Sequence, residues 1–147
     1  MALYNIMLAA IDLTDEADQV IQRAQELRAM HEADLILLHV VEPVGYAYGG
    51  DIPMDLTELQ DQLDSAAKEQ LAVFGRKFDI PPENLVVAVG RPEAEIHRVC
   101  DERDVDLAII GSHGRHGIQL LLGSTANGVL HGAKRDVLAV RINTDDN

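Results

Sequence analysis

Ile6-Met7-Leu8-Ala9-Ala10-Ile11, followed by Asp12-Leu13-Thr14-Asp15, is the stretch from which the architecture can be read. A strand with one wet face alternates apolar and polar residues, because successive side chains point to opposite sides. No polar residue interrupts this run, so both faces of the strand expect cover. That is the pattern of a parallel sheet with helices on either side. Residues 85–89 and 107–110 are apolar throughout, and residues 35–41 and 137–142 are apolar except for His39 and Arg141; with residues 5–11 they make five strands.

Between these runs the apolar residues change to helical spacing. Val20, Ile21, Ala24 and Leu27 mark one helix face. Leu59, Leu63, Ala67, Leu71, Phe74 and Phe78 mark a longer one, broken by Pro81-Pro82. Gly90-Arg91-Pro92 is a strand-to-helix turn with proline at the first helical position, where its missing N–H costs nothing. Ile96, Val99 and Cys100 face the core from that helix, and a last helix is expected over residues 124–133. Strands alternating with helices give one doubly wound α/β domain spanning residues 1–147.

Composition narrows the function. The chain has 147 residues, 47% of them hydrophobic, enough for a core without disulfides or a structural metal. One cysteine excludes an internal disulfide and fits a reducing compartment. With no signal peptide or apolar membrane span in the sequence, a cytoplasmic location is expected. Twelve basic against 25 acidic residues give a formal charge of −13. Such a surface repels phosphate backbones, which argues against nucleic-acid binding. A salty cytoplasm would explain the acidity, and so would solubility alone.

Against this background, residues 111–135 contain no Asp or Glu, while Arg115, Lys134, Arg135, His113, His116 and His131 all occur there. A segment cleared of carboxylates suits a bound anion. Gly111 and Gly114 can let main-chain N–H groups approach phosphate oxygens. Gly123-Ser124-Thr125 reads as a helix start, with N–H groups and hydroxyls to offer. Ordinary turns and a serine cap would leave the same trace.

Single residues carry competing readings. Asp12 ends the first strand, where ligands bind in such sheets, or it caps the following helix or bonds nearby main chain. Arg115 reaches a terminal phosphate or lies solvated. His113 and His116 lack a third ligand for zinc. His39 reads as a satisfied core histidine, Cys100 as inert packing, and Tyr46 and Tyr48 as loop residues that could fold over a ligand.

Ala10-Ile11-Asp12, Leu38-His39-Val40-Val41 and the run Gly111-Ser112-His113-Gly114-Arg115-His116-Gly117, followed by Leu121-Leu122-Gly123-Ser124, resemble the ATP-binding branch of the universal stress protein family. The resemblance spans nearly the whole chain. It implies a sheet in the order 3-2-1-4-5 with ATP across the ends of strands one and four. Asp12 would then contact the ribose and the main chain of Val40 the adenine edge. Gly111, Gly114, Gly123 and Ser124 would hold the phosphates, with Thr125 a further candidate. Mg²⁺ or Mn²⁺ would bridge phosphate oxygens.

Two departures stand out. Eight residues separate Gly114 from Gly123, one fewer than is usual in the family, and Asp136 stands where a proline often precedes the last strand. Three functions follow. The chain is an ATP-binding regulator of a partner such as a transporter or signalling protein, or a slow ATP hydrolase or nucleotidyl transferase, or a nucleotide-free interaction module. The absence of a Gly-x-x-x-x-Gly-Lys-Ser/Thr loop and of an obvious base favours the first. An apolar last strand at a sheet edge points to a homodimer or a larger oligomer.

Overall fold

The computed structural model describes residues 3–44, 56–112 and 123–143, with only the main chain for residues 123–126. Five strands form one parallel sheet: β1 (Ile6–Ala10), β2 (Asp34–Val41), β3 (Leu85–Val89), β4 (Leu107–Ser112) and β5 (Asp136–Arg141). Their order is β3-β2-β1-β4-β5, as the family resemblance implies. Among the described residues the helices include α1 (Ala17–His31), α2 (Thr57–Lys77), α3 (Pro92–Glu102) and α4 (Gly123–Leu130), with a short 3-10 turn at Pro82–Asn84.

The unbroken apolar strands are explained by two cores, one on each face. Met7, Ala9, Leu35, Leu37, Leu107 and Ile109 point to one side and pack with Val20, Ile21 and Ala24 of α1 and Leu71 of α2. Leu8, Ile36, Leu38, Ala108 and Ile110 point to the other and meet Ile96, Val99 and Cys100 of α3 and Val129 of α4. The period of two along each strand sorts neighbours onto opposite faces. Fully burying a leucine or isoleucine contributes about 1.5–3 kcal/mol.

Local signals set the boundaries. Helix α1 ends where Glu32 adopts a left-handed conformation (φ 52°) and the Ala33 N–H bonds back to the Arg28 carbonyl. Helix α4 stops at Leu130, short of the expected residue 133, because Gly132 turns into the left-handed region at φ 73°. Helices α3 and α4 approach closely at Gly128, where an added Cβ would stand 2.6 Å from the Cβ of Glu93. His97 Nε2 donates to the Gly128 carbonyl at 3.2 Å across the same contact.

The expected apolar face of α2 holds only in its second half. Ala67 and Leu71 are buried and Phe74 and Phe78 pack against the core, whereas Leu59 and Leu63 are exposed. Asp136 does not disturb β5. It pairs with Leu107, and its carboxylate accepts the Tyr4 hydroxyl at 2.8 Å. That bond first, then desolvation and the acidic neighbours, raises the Tyr4 pKa.

Candidate functional site

At the carboxyl end of the sheet the central strand stops before its neighbours. Pairing of β1 with β2 ends at Ala10↔Leu38, and with β4 at Ala10↔Ile110. Beyond that level β2 continues with β3 through Val40↔Ala88 and Val41↔Val89. On the other side β4 continues with β5 through Gly111↔Val140 and Ser112↔Arg141. The strand order reverses at β1, so this gap is the topological switch point at which doubly wound sheets take ligands.

The direction of the main-chain groups on either side follows from the bonds that remain. The Ile11 N–H donates to the Leu38 carbonyl at 2.9 Å, and the Gly90 N–H donates to the Val41 carbonyl at 3.0 Å. Leu38 therefore faces β1 and Val41 faces β3. Alternation along the strand turns the N–H and C=O of Val40 toward β1. Neither has a main-chain partner among the described residues. Half-buried Val40 thus presents one donor and one acceptor side by side at the gap.

On the opposite wall the Ile142 N–H reaches the Ser112 carbonyl at 3.4 Å on the β5 side. By the same alternation Gly111 turns its main chain toward β1. A Cβ on Gly111 would stand 2.7 Å from Ile142 Cδ1 and 3.1 Å from Val20 Cγ2. Packing between β5 and α1 thus accounts for a glycine here, a reason that the sequence alone does not offer. The Gln19 side-chain amide secures this corner. It donates to the Asn143 carbonyl at 2.6 Å and accepts the Asn143 N–H at 2.8 Å.

Asp12 stands two residues beyond the end of β1 and is exposed. Its Oδ1 accepts both the Thr14 N–H at 3.2 Å and the Thr14 hydroxyl at 2.7 Å. The carboxylate therefore braces the turn rather than capping α1, whose N-cap is Glu16 with no side-chain bond. Oδ2 has no hydrogen-bond partner among the described residues. His39 is indeed satisfied, as its ring Nδ1 lies 2.8 Å from the Ile11 carbonyl. A carbonyl only accepts, so Nδ1 carries the proton.

Helix α4 begins at Gly123, where the Gly-Ser-Thr signal places a helix start. The side chains of Ser124 and Thr125 lie outside the described residues, as do Gly114, Arg115, His113, His116, Tyr46 and Tyr48. Among the described residues no group of three His, Cys, Asp or Glu could hold a metal ion, and no helix is long and apolar enough to cross a membrane. Cys100 is fully buried, and desolvation pushes its thiol up to about 11, which fits inert packing.

The family model described as the universal stress protein family matches residues 3–141. The chain belongs to the universal stress protein family. It is similar to universal stress protein A homolog 2 of Coxiella burnetii, with 43% identity over 95% of this chain and 96% of the relative. Among solved structures of this family's fold it is similar to protein MJ0577, with a TM-score of 0.78 and 23% identity over 97% of this chain and 99% of the other. Another is a universal stress protein in complex with cAMP, with a TM-score of 0.59 and 23% identity, covering 93% of this chain and 96% of that one. At these identities the structural likenesses establish the fold.

Proposed function

We propose that this universal stress protein binds ATP in the gap above β1 and acts as a nucleotide-sensing regulator of a partner, such as a transporter or a signalling protein. The observation that carries the reading is the paired N–H and C=O of Val40, turned into the place that β1 leaves. An adenine edge offers a matching acceptor and donor, and main-chain groups can read it without any side-chain specificity. Asp12 Oδ2, unbonded among the described residues, suits a ribose hydroxyl.

The phosphates would run along Gly111, Gly114 and the start of α4 at Gly123, Ser124 and Thr125. There, helix N–H groups and the favourable dipole end attract anions. Arg115 is the cation to meet the terminal phosphate. Mg²⁺ or Mn²⁺, when bound, would neutralise charge on the phosphate oxygens from outside any protein cage. The relative in complex with cAMP supports an adenine nucleotide as the ligand class for this fold. Any hydrolysis would be slow, since no phosphate-loop lysine accompanies the site.

A specific observation supports a second reading, a nucleotide-free interaction module. Packing of Ile142 and Val20 already explains Gly111, and the Gly114–Gly123 spacing is one residue short. Mass spectrometry of small molecules released from the purified protein, followed by calorimetry with ATP, separates the two. A nucleotide in the released fraction and saturable ATP binding, weakened about tenfold or more in Asp12→Ala, support the first. A folded protein that shows neither is the nucleotide-free module.

A further inference from the structure

We infer that His39 is the positioning residue that keeps the Val40 main chain open to a ligand. The inference rests on the reading of Val40 as the adenine-edge contact. In a parallel ladder that continued one step further, the next bond after Ile11 N–H to Leu38 C=O would run from the Val40 N–H to the Ile11 carbonyl. That bond is not made. The Ile11 carbonyl instead receives the His39 ring, Nδ1 to oxygen, at 2.8 Å.

The imidazole thus takes the acceptor that would otherwise close β1 onto Val40. The Ile11 carbonyl is satisfied from the side chain, while the Val40 N–H and C=O stay turned into the gap. A residue without a donor at position 39 would leave the buried Ile11 carbonyl unpaired, which is costly. The Val40 N–H is the donor that the parallel register offers that carbonyl, and recruiting it zips the strands and removes half of the base-reading pair. Nδ1 carries a proton in this neutral tautomer and in the imidazolium alike, so the device works in either charge state.

The test compares His39→Leu and His39→Val, which lack a donor, with His39→Asn, whose amide can still reach the carbonyl. Folding is verified by far-ultraviolet circular dichroism. Amide hydrogen exchange at Val40 in nucleotide-free protein is the first readout. The expected result is exchange slowed about tenfold or more in the Leu and Val variants and near the original rate in His39→Asn. Unchanged Val40 exchange in a folded variant without a donor overturns the inference. Should His39→Leu not fold, His39→Val decides alone.

ATP affinity by calorimetry is the second readout. It should fall about tenfold in the variants without a donor and recover in His39→Asn. Slowed exchange with undiminished ATP affinity overturns the link between His39 and the ligand. The exchange readout needs no nucleotide, so failure of the unsubstituted protein to bind ATP sinks the proposed function and leaves the strand-opening role to be decided on its own.

Discussion

Gly111→Ala adds one methyl group to the wall of the gap, and the structure gives its neighbours. The new Cβ would stand 2.7 Å from Ile142 Cδ1, 3.1 Å from Val20 Cγ2 and 3.4 Å from Ile142 Cγ1. Val20 and Ile142 are only 2% and 6% exposed, so neither can swing into solvent. Val20 is β-branched and stiff about χ1 on a helix, and it gives little. Forcing an extra methyl into a filled core costs about 1–3 kcal/mol. Gly111 is not among the glycines with positive φ, so alanine adds no backbone strain. It also restrains the unfolded chain, which offsets about 0.4–1 kcal/mol.

The net expectation is a loss of roughly 0.5–2 kcal/mol, and each kcal/mol moves the melting temperature about 2–4 °C in a chain of this size. Ile142→Val removes Cδ1, the nearest atom, and by itself costs about 0.5–1.5 kcal/mol. The double variant should then lose less than the sum of the two, with a coupling of about 0.5 kcal/mol or more. Urea titrations of the four proteins read this directly. An unshifted midpoint for Gly111→Ala, or strictly additive losses in the double variant, would refute packing as the reason for this glycine.

Cys100 should resist thiol reagents at pH 8 in the native state and react promptly in urea, because burial pushes its thiol up to about 11; equal rates in both states would contradict its placement. The unfolded thiol ionises near its ordinary value of about 8.5 and the folded one does not, so Cys100 should lower stability as pH climbs from about 9 toward 11, a trend that Cys100→Ala abolishes. Asp106→Ala should cost about 1–2 kcal/mol in denaturation midpoints, since its carboxylate accepts the Asn5 N–H at 2.9 Å and the Ile6 N–H at 3.3 Å where β1 begins. Because Ile142 donates to β4, alternation turns Leu138 inward and Ala139 outward; if β5 pairs with a second copy, Ala139→Pro should weaken association in sedimentation while Leu138→Pro unfolds the sheet. Association that survives a folded Ala139→Pro variant would argue against that edge.

The central strands were legible in the sequence because β1 and residues 107–110 of β4, covered on both faces, are apolar at every position. Residues 85–89 read as a strand at the bounds observed for β3. Helix spacing was equally plain where a core lay beneath it, as for Val20, Ile21 and Ala24, and misled at Leu59 and Leu63, where apolar residues recur without burial. Periodicity reports which residues could share a face and carries no knowledge of what lies opposite. Asp12 and Gly111 stood out as candidates because a switch point falls at strand ends, whereas Val40 was offered only by the family resemblance.

What those residues do was decided only by the tertiary structure. Gly111 is fitted to Ile142 and Val20, which come from opposite ends of the chain, and no local pattern encodes that contact. One oxygen of Asp12 is committed to Thr14 and the other is not, a division of labour that only coordinates can show. His39 satisfies the carbonyl of a residue 28 positions away and so leaves Val40 without its ladder partner. Composition and period fix the class of the fold because hydrophobic burial is non-directional. The site depends on hydrogen bonds, which are directional, and their partners meet only after the strands have been laid side by side.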